Sequence, residues 1–338
     1  MAQPQTAATM ASDPGTIVGA ITTVALDTPS SLHGNGKVFT RRDRDGNDAG
    51  TEGLRDAGHE VPVCNGRQPG DAGPRTLEAH GFELVQRPLG DDTPDFYDHR
   101  QVVESYYDAC CDLLREATGA PHVFAFDHNI RSARGKDSGQ RIAGGQQVQE
   151  PIHFVHGDYT LDSAPRRLRD LAKPPSANDT LRGYLEPGAT LLDPGMVKQA
   201  IAGERRYAII NVWRNIDSAP VVRNPLALCD GQTVAPDDLV VFEIFYHDRV
   251  GENYLSKHRD NHGWWWFPEV TRDEAILIKQ WDSAGEMARS DGARSDASVG
   301  DGDAPCTFSF HSAFKGPEPA PDAPDRQSIE VRCIAIWD

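Results

Sequence analysis

The feature that most constrains the fold is a series of short segments in which β-branched and aromatic residues dominate. Such side chains suit the half-buried surface of a sheet, so each segment predicts a strand. The segments are residues 122–127, 152–156, 206–213, 239–246, 306–314 and 328–337. Because long loops separate them, together they predict a β-sandwich or barrel with helices packed outside, a mainly β (α+β) fold.

Two further segments carry helix signals. Residues 97–118 place apolar side chains at helical spacing and are followed by a glycine, which is typical of a helix end. Residues 271–274 have the pattern of a capping box, which predicts a helix that continues through the apolar residues 275–278. Residues 30–80 are rich in Gly, Asp, Arg and Asn and predict mostly loops.

Composition divides the rest of the chain. Residues 1–15 are polar and predict a disordered tail, and we expect residues 16–338 to form a single domain. Residues 284–305 are rich in Ser, Asp, Gly and Ala, so they predict a mobile insertion. Because this insertion lies just before His311, we expect it to act as a lid.

Charge and hydropathy exclude several classes of partner. The 338 residues carry a formal net charge of −17, and an acidic surface repels phosphate backbones, so we expect no nucleic acid partner. No apolar run is long enough to span a membrane, and the first residues lack the pattern of a signal peptide. We therefore expect a cytoplasmic protein. Its six cysteines form no C-x-x-C pair and are expected to be reduced thiols.

The first candidate for chemistry is the pair His156 and Asp158, which ends a predicted strand. Residues two apart on a strand point to the same face, so the imidazole and the carboxylate can converge on one metal ion. A second His-x-Asp pair, His258 and Asp260, lies among Ser, Lys, Arg and Asn in what reads as an exposed loop. We therefore favour His156 and Asp158.

A third ligand must come from later in the chain. The candidates are His247, His258, His262 and His311. Of these, His311 lies in a patterned strand and is followed by Arg326 and Ser328, which share a face of an extended segment. Two histidines and one carboxylate leave three positions open on Fe(II), as an oxygenase requires. The guanidinium and hydroxyl groups then suit the distal carboxylate of 2-oxoglutarate.

Arg332 is a rival for this anion-binding role. Ser328, Glu330 and Arg332 alternate onto one face of the last predicted strand. Arg332 would instead be a structural residue if it formed an ion pair with Glu330 or Glu243. We favour Arg326 and keep Arg332 as the alternative.

Four residues are candidates for the substrate pocket. Asn211 and Trp213 share a face of their predicted strand, although Asn211 would serve equally as a structural amide. Arg214 would face the opposite way unless a bulge intervenes. Trp265 belongs to an aromatic cluster that is either core packing or a wall of the pocket.

Together these motifs resemble a known family. The matching segments, in order between about residue 120 and residue 338, are 124–131, 156–160, 210–214, 225–230, 266–269 and 326–332. They resemble the hydroxylase/desaturase family of Fe(II)/2-oxoglutarate-dependent oxygenases, which includes relatives of gibberellin desaturase, the cephamycin 7α-methoxylation component and the aziridine-forming oxygenases. The resemblance implies a double-stranded β-helix (jelly-roll, cupin-like) core over about residues 120–338. It also implies Fe(II), 2-oxoglutarate and O₂, with His156, Asp158 and His311 as ligands.

The expected activity is oxidation of an unactivated C–H bond of a small molecule in specialised metabolism. Hydroxylation, desaturation and oxidative ring formation all remain open, as do the substrate and the oligomeric state. Two other classes are alternatives: a cupin-like metalloenzyme that does not use 2-oxoglutarate, and a barrel that binds a small molecule without catalysis.

Overall fold

The structure is a computed structural model that describes residues 15–42, 48–90, 93–133, 135, 148–177, 179–247, 249–289 and 304–338. The strands are β1 Ile17–Val24, β2 Phe39–Arg42, β3 Asp48–Glu52, β4 Asp56–Asn65, β5 Phe82–Gln86, β6 His122–Ser132, β7 His156–Gly157, β8 Tyr207–Asn215, β9 Leu226–Cys229, β10 Leu239–Phe245, β11 Val250–Ser256, β12 Trp264–Trp266, β13 Glu274–Asp282, β14 His311–Ala313 and β15 Gln327–Ile336. The helices are α1 Leu77–His80, α2 His99–Gln101, a π-helical turn Val102–Tyr106, α3 Tyr107–Thr118, α4 Ser163–Leu171 and α5 Pro194–Ile201. Short 3₁₀ turns are Gly70–Ala72, Gly231–Thr233, Pro236–Asp238 and Met287–Arg289.

These strands form two sheets. One sheet has ten strands in the order β1-β4-β12-β9-β14-β7-β11-β10-β2-β3, and the other has five in the order β5-β13-β8-β15-β6. Buried aromatic residues lie between the sheets: the ring of Phe308 is 6.4 Å from that of Trp281 in the smaller sheet and 5.8 Å from that of Tyr254 in the larger sheet, measured between centroids. The predicted mainly β class is therefore confirmed.

Helix α3 covers the outer face of the smaller sheet, where it packs on β6 and β15. Its buried face includes Tyr107, whose hydroxyl lies 2.8 Å from Nδ1 of His128 in β6. The helical prediction for residues 97–118 is confirmed from His99 onwards. No helix in the described ranges is long and apolar enough to cross a membrane.

The sheet begins earlier in the chain than the sequence indicated. Residues 30–80 were expected to be mostly loops, and the core to start near residue 120, yet β4 pairs with β12 and β5 pairs with β13. The prediction was wrong because β4 carries few large apolar side chains, and only Val61 and Val63 are buried in it. Its strand conformation depends on neighbours that are distant in sequence.

The helix predicted from the capping box at residues 271–274 is absent, although the hydrogen bonds of the box are present. The backbone N–H and the hydroxyl of Thr271 both donate to a carboxylate oxygen of Glu274, at 2.9 and 3.1 Å. These bonds close a turn, but the chain then continues as β13 rather than as a helix. Every residue of β13 is buried between β5 and β8, so sheet pairing overrides the local helix signal.

Three other expectations are refined. The strands predicted over residues 152–156 and 306–314 are shorter than expected. They are β7, which begins at His156, and β14, which begins at His311. The expected tail lies almost entirely outside the described residues, as do residues 290–303 of the expected mobile insertion. The first part of that insertion is a defined turn, in which the N–H of Met287 donates to the hydroxyl of Thr307 at 3.1 Å.

Candidate active site

The structure brings His156, Asp158 and His311 together. Strands β7 and β14 are neighbours, and His156 lies directly opposite His311 in their register. The two imidazole centroids are 4.4 Å apart, and the nearest ligand atoms of all three residues lie within 4.8 Å of one another. Within the ranges that the structure describes, no other three His, Cys, Asp or Glu side chains come this close.

The two histidines have the protonation state of metal ligands. Nδ1 of His156 donates to the carbonyl of Phe154 at 2.7 Å, which leaves Nε2 as an acceptor facing Asp158, with Oδ1 at 3.7 Å. Burial lowers the pKa of His156 to about 4, and burial also lowers the pKa of His311. Both rings are therefore neutral near pH 7, as metal binding requires.

Asp158 presents one oxygen to the centre and keeps the other for the protein. Its Oδ2 accepts from Nδ2 of Asn211 at 3.0 Å and from Nε of Arg332 at 3.3 Å. Its backbone N–H donates to Gln280 at 3.0 Å. Burial alone would raise the pKa of Asp158, but the charge of Arg332, the two neighbouring histidines and the hydrogen bond from Asn211 together outweigh burial, and the net shift is downwards. The carboxylate is therefore ionised, and Oδ1 would be the oxygen available to a metal ion.

Arg332 is fully engaged by acidic and amide groups. Besides Asp158, it donates to Asp127 at 2.9 Å and to Glu330 at 3.3 Å. With its amide oxygen turned inwards, Asn129 accepts from both terminal nitrogens of Arg332 at 2.9 Å. Arg332 therefore has structural ion pairs, including the one with Glu330 that the sequence left open, and its donors are not free for the carboxylate of a ligand.

Arg326 has the opposite environment. It is 4% exposed, its Nη1 donates to the carbonyl of Asn224 at 2.5 Å, and its guanidinium carbon lies 5.7 Å from the ring centroid of Trp213. No carboxylate of the described residues forms an ion pair with it, and its Nε has no partner. The hydroxyl of Ser328 is likewise buried without a partner. Burial lowers the pKa of Arg326 to about 9, as expected for a buried cation without an adjacent anion.

The interior beside these groups is apolar. A buried cluster surrounds Trp213 and Trp265, and its other large members are Phe82, Leu226, Leu228, Phe267, Ile276 and Ile278. Leu228 lies opposite both His311 and Trp265 in the registers of β9. The guanidinium carbon of Arg75 lies over the ring of Trp265, 4.5 Å from the ring centroid. Trp213 and Trp265 thus lie on the interior face that holds the triad.

Arg214 is not part of this site. It is 2% exposed and projects from the other face of β8, where it donates to the hydroxyl of Tyr106 at 2.8 Å. Its Nη1 donates to the carbonyls of Arg87 at 2.8 Å and Arg272 at 2.7 Å. The structure therefore does not bring Arg214 to the triad: no bulge in β8 turns it inwards, and it ties the sheet to its helical cover.

The other histidine candidates lie elsewhere. His258 stacks on His59 with centroids 4.2 Å apart, and the side chain of its partner Asp260 is 93% exposed. His262 is bonded to Asp238 at 3.1 Å. The choice between the two His-x-Asp pairs by sequence context thus agrees with the geometry.

Sequence reasoning assigned no role to several polar groups that line the site. They are Asp127, Asn129, Arg131 and Gln280. A signal was present in the sequence: Asp127, Asn129 and Arg131 alternate from the end of the predicted strand 122–127 onwards, and the observed strand β6 includes all three. Polar side chains on one face of a buried strand indicate an interior polar site.

Comparison with known proteins identifies the family. The model of the YDMC family, described as "Oxidoreductase/YMDC permease-like domain", matches residues 31–186 and 194–336. The chain therefore belongs to this oxidoreductase family.

Several curated relatives share much of the chain. An uncharacterised protein from the dcmA 3' region of Methylophilus leisingeri is 44% identical over 188 residues, which is 56% of this chain and 85% of that protein. Hydroxylase/desaturase efuI of Hormonema carpetanum is 28% identical, with 78% and 79% covered. The Fe(II)/2-oxoglutarate-dependent dioxygenase nvfI of Aspergillus novofumigatus is 28% identical, with 77% of each chain covered. These names confirm the family resemblance predicted from the motifs.

Solved structures support the fold. The iron and alpha-ketoglutarate-dependent endoperoxidase NvfI superposes with a TM-score of 0.67 at 22% sequence identity, covering 96% of this chain and 99% of that chain. At this identity the likeness concerns the fold alone. It confirms the predicted jelly-roll core.

Proposed function

We propose that this protein is an Fe(II)/2-oxoglutarate-dependent oxygenase that oxidises an unactivated C–H bond of a small molecule. In this proposal His156, Asp158 and His311 bind the iron, and Arg326 with Ser328 binds the distal carboxylate of 2-oxoglutarate. The names of relatives such as efuI and nvfI, a hydroxylase/desaturase and a dioxygenase, support the reaction class. Two neutral imidazoles and one carboxylate suit Fe(II) and leave three coordination positions open.

The buried, unpaired guanidinium of Arg326 is the observation that carries the proposal. A different metalloenzyme on the same barrel would not need a buried cation without an anion. The spacing also fits the cosubstrate. Arg326 lies over Trp213, and Asn211 contacts the proposed metal ligand Asp158. Trp213 and Asn211 are two residues apart on β8, so the proposed clamp and the proposed metal ligand contact this strand about 7 Å apart. The four C–C bonds between the carboxylate carbons of 2-oxoglutarate span at most about 6 Å.

The protein residues bind, orient and exclude water. Asn211 and Arg332 hold Oδ2 of Asp158, so that Oδ1 alone is offered to the metal, and Phe154 fixes the tautomer of His156. When bound, ferrous iron and 2-oxoglutarate activate O₂ for oxidation of the substrate. The apolar cluster around Trp213 and Trp265 keeps water from the interior, and these two rings are the candidates for contact with cosubstrate or substrate.

The remaining features of the proposal come from the sequence and the relatives. In this proposal the substrate is a small molecule and the reaction belongs to specialised metabolism, as the family resemblance of the sequence motifs implies. A cytoplasmic location stays a prediction of the sequence.

Anaerobic reconstitution tests the proposed function. We expect the purified protein to bind one Fe(II), to bind 2-oxoglutarate only when the metal is present, and to form succinate when O₂ is admitted. His311→Ala should abolish metal binding, whereas His262→Ala, the matched control, should leave it unchanged. Metal binding without any effect of 2-oxoglutarate would favour a metalloenzyme of another class.

A further inference from the structure

Arg131 is a second arginine on the interior face of the smaller sheet, and the strand register places it at the Ser328 end of the site. In the pairing of β6 with β15, Arg131 lies opposite Ser328, and Asp127 lies opposite Arg332. Cross-strand partners point to the same side of a sheet, so Arg131 projects to the side of the Ser328 hydroxyl. Arg332, at the other end of this row, contacts the proposed metal ligand Asp158. Arg131 therefore belongs to the end that holds the proposed clamp.

The backbone group that anchors Arg326 lies beyond the end of β14. Nη1 of Arg326 donates to the carbonyl of Asn224 at 2.5 Å. Asn224 lies two residues before Leu226, which pairs with Ala313. Because β9 and β14 are antiparallel, the residues before Leu226 extend past Ala313 in the direction away from His311. The guanidinium of Arg326 is therefore held at the end of β14 that leads away from this metal ligand.

The backbone group that anchors Arg131 lies at the same end. Nη1 of Arg131 donates to the carbonyl of Glu150 at 3.1 Å. Ile152, two residues further on, accepts at its carbonyl from the N–H of Ala313 at 2.8 Å. This segment leads into β7, which is also antiparallel to β14, so its earlier residues likewise extend past Ala313 away from His311. The two guanidinium groups thus reach one end of the larger sheet, on the two sides of β14.

The donors at this end have no anion. Three carboxylates line the site, and all of them form ion pairs with Arg332. Among the residues that the structure describes, no carboxylate forms an ion pair with Arg131 or Arg326, and the hydroxyl of Ser328 is without a partner. After burial, the charge of Arg131 is the main cause that lowers the pKa of Arg326, as expected for two like charges with no anion beside them.

One carboxylate can satisfy all of these donors. Its two oxygens offer about four lone-pair sites, enough for two guanidinium groups and a hydroxyl. We propose that the distal carboxylate of 2-oxoglutarate is bound by two arginines, Arg131 and Arg326, together with Ser328. This inference rests on the proposed function and adds Arg131 to the predicted clamp. Two positive charges around one carboxylate would make the site selective for 2-oxo acids that carry a second carboxylate at the distal end.

Two ligands that differ only at the distal end can test the assignment. 2-Oxoglutarate carries both carboxylates, whereas 2-oxopentanoate keeps the oxo-acid end and lacks the distal carboxylate. Their dissociation constants would be measured by anaerobic calorimetry on Fe(II)-loaded protein, without O₂ and therefore without turnover. The variants are Arg131→Gln and Arg326→Gln. The control is Arg115→Gln, because Arg115 makes a similar contact to a carbonyl of β6, that of Val123 at 3.2 Å, from the outer helix α3.

The two arginines should give the same pattern. Arg131→Gln and Arg326→Gln should each weaken 2-oxoglutarate by about 10-fold or more, because each removes charged hydrogen bonds to the same carboxylate. Neither should change the affinity for 2-oxopentanoate, and Arg115→Gln should change the affinity for neither ligand. Arg131→Lys keeps the charge but loses the guanidinium fork, so it should weaken 2-oxoglutarate alone, and by less than Arg131→Gln does. It is the test variant if Arg131→Gln does not fold.

Three results would overturn the proposal in distinguishable ways. Arg131 variants that bind 2-oxoglutarate as tightly as wild type would remove Arg131 from the clamp. An equal loss of affinity for both ligands would show that Arg131 does not act on the distal carboxylate. If wild-type protein binds Fe(II) but neither ligand, the proposed function itself fails.

Discussion

Replacement of Arg326 by methionine should have opposite effects on the free and the ligand-bound protein. In the free protein Arg326 is a buried cation with no carboxylate partner among the described residues, so its charge destabilises the fold. An apolar side chain of similar length removes that cost and keeps contact with Trp213. In the bound protein the same replacement removes the group that holds the distal carboxylate of 2-oxoglutarate.

The magnitudes follow from burial and charge. Burial lowers the pKa of Arg326 from 12.5 to about 9, which sets an upper limit of roughly 5 kcal/mol on the cost of its charge. Replacing buried charges by apolar groups gains about 1–4 kcal/mol at best, so we expect the free variant to be as stable as wild type or more stable. Loss of a desolvated charged contact costs on the order of 2–5 kcal/mol of binding, which is roughly 30-fold or more in affinity.

Thermal or chemical unfolding with and without 2-oxoglutarate measures both effects. At 100 times its dissociation constant, the cosubstrate should stabilise Fe(II)-loaded wild-type protein by about 2.7 kcal/mol, and the same concentration should stabilise Arg326→Met by less than about 1 kcal/mol. The comparison variant is Arg332→Met. It should destabilise the free protein by about 3–5 kcal/mol, because it leaves buried carboxylates unpaired. If instead Arg332→Met is harmless to the fold and abolishes the response to 2-oxoglutarate, the assignment of the clamp is refuted.

Three further variants test separate parts of the structure. Asn211→Leu should weaken Fe(II) binding about 10-fold or more while the fold is retained, because Oδ2 of Asp158 loses a donor; equal metal affinity would contradict this. Arg214→Met should lower stability by a few kcal/mol and leave 2-oxoglutarate affinity unchanged, as a calorimetric titration would show. Burial would raise the pKa of Glu274, but the hydrogen bonds and charge of Arg67 together with the hydrogen bonds from Thr271 outweigh it and lower the pKa to about 2. Glu274 therefore contributes roughly 3 kcal/mol above pH 4.5, a contribution that is lost as the pH falls towards 2, so the stability difference from Glu274→Gln should shrink over that window.

The site residues that could be predicted from the sequence are those set by strand alternation. His156 and Asp158 lie two apart, as do Arg326 and Ser328, and such pairs share a face whatever the rest of the fold does. The same reasoning placed Arg214 on the face opposite Trp213, where the structure has it. Local periodicity was sufficient for these residues.

Other features depend on contacts that local patterns do not encode. His156 and His311 become neighbours only through the pairing of β7 with β14, and Arg332 reaches Asp127 across 205 residues of chain. The hydrogen bond between Thr271 and Glu274 that the helix signal predicted is present, but the chain continues as β13 because this strand pairs with β5 on one side and β8 on the other. The choice between Arg326 and Arg332 likewise required the ion pairs of Arg332, which no spacing rule reveals.

The most direct test is a crystal structure of the protein with Fe(II) and 2-oxoglutarate, prepared without O₂. We expect one metal ion bonded to Nε2 of His156, Oδ1 of Asp158 and an imidazole nitrogen of His311, with the distal carboxylate of 2-oxoglutarate against Arg326 and Ser328. A metal ion held by other residues, or a distal carboxylate bound to Arg332 while Arg326 stays unpaired, would contradict the account.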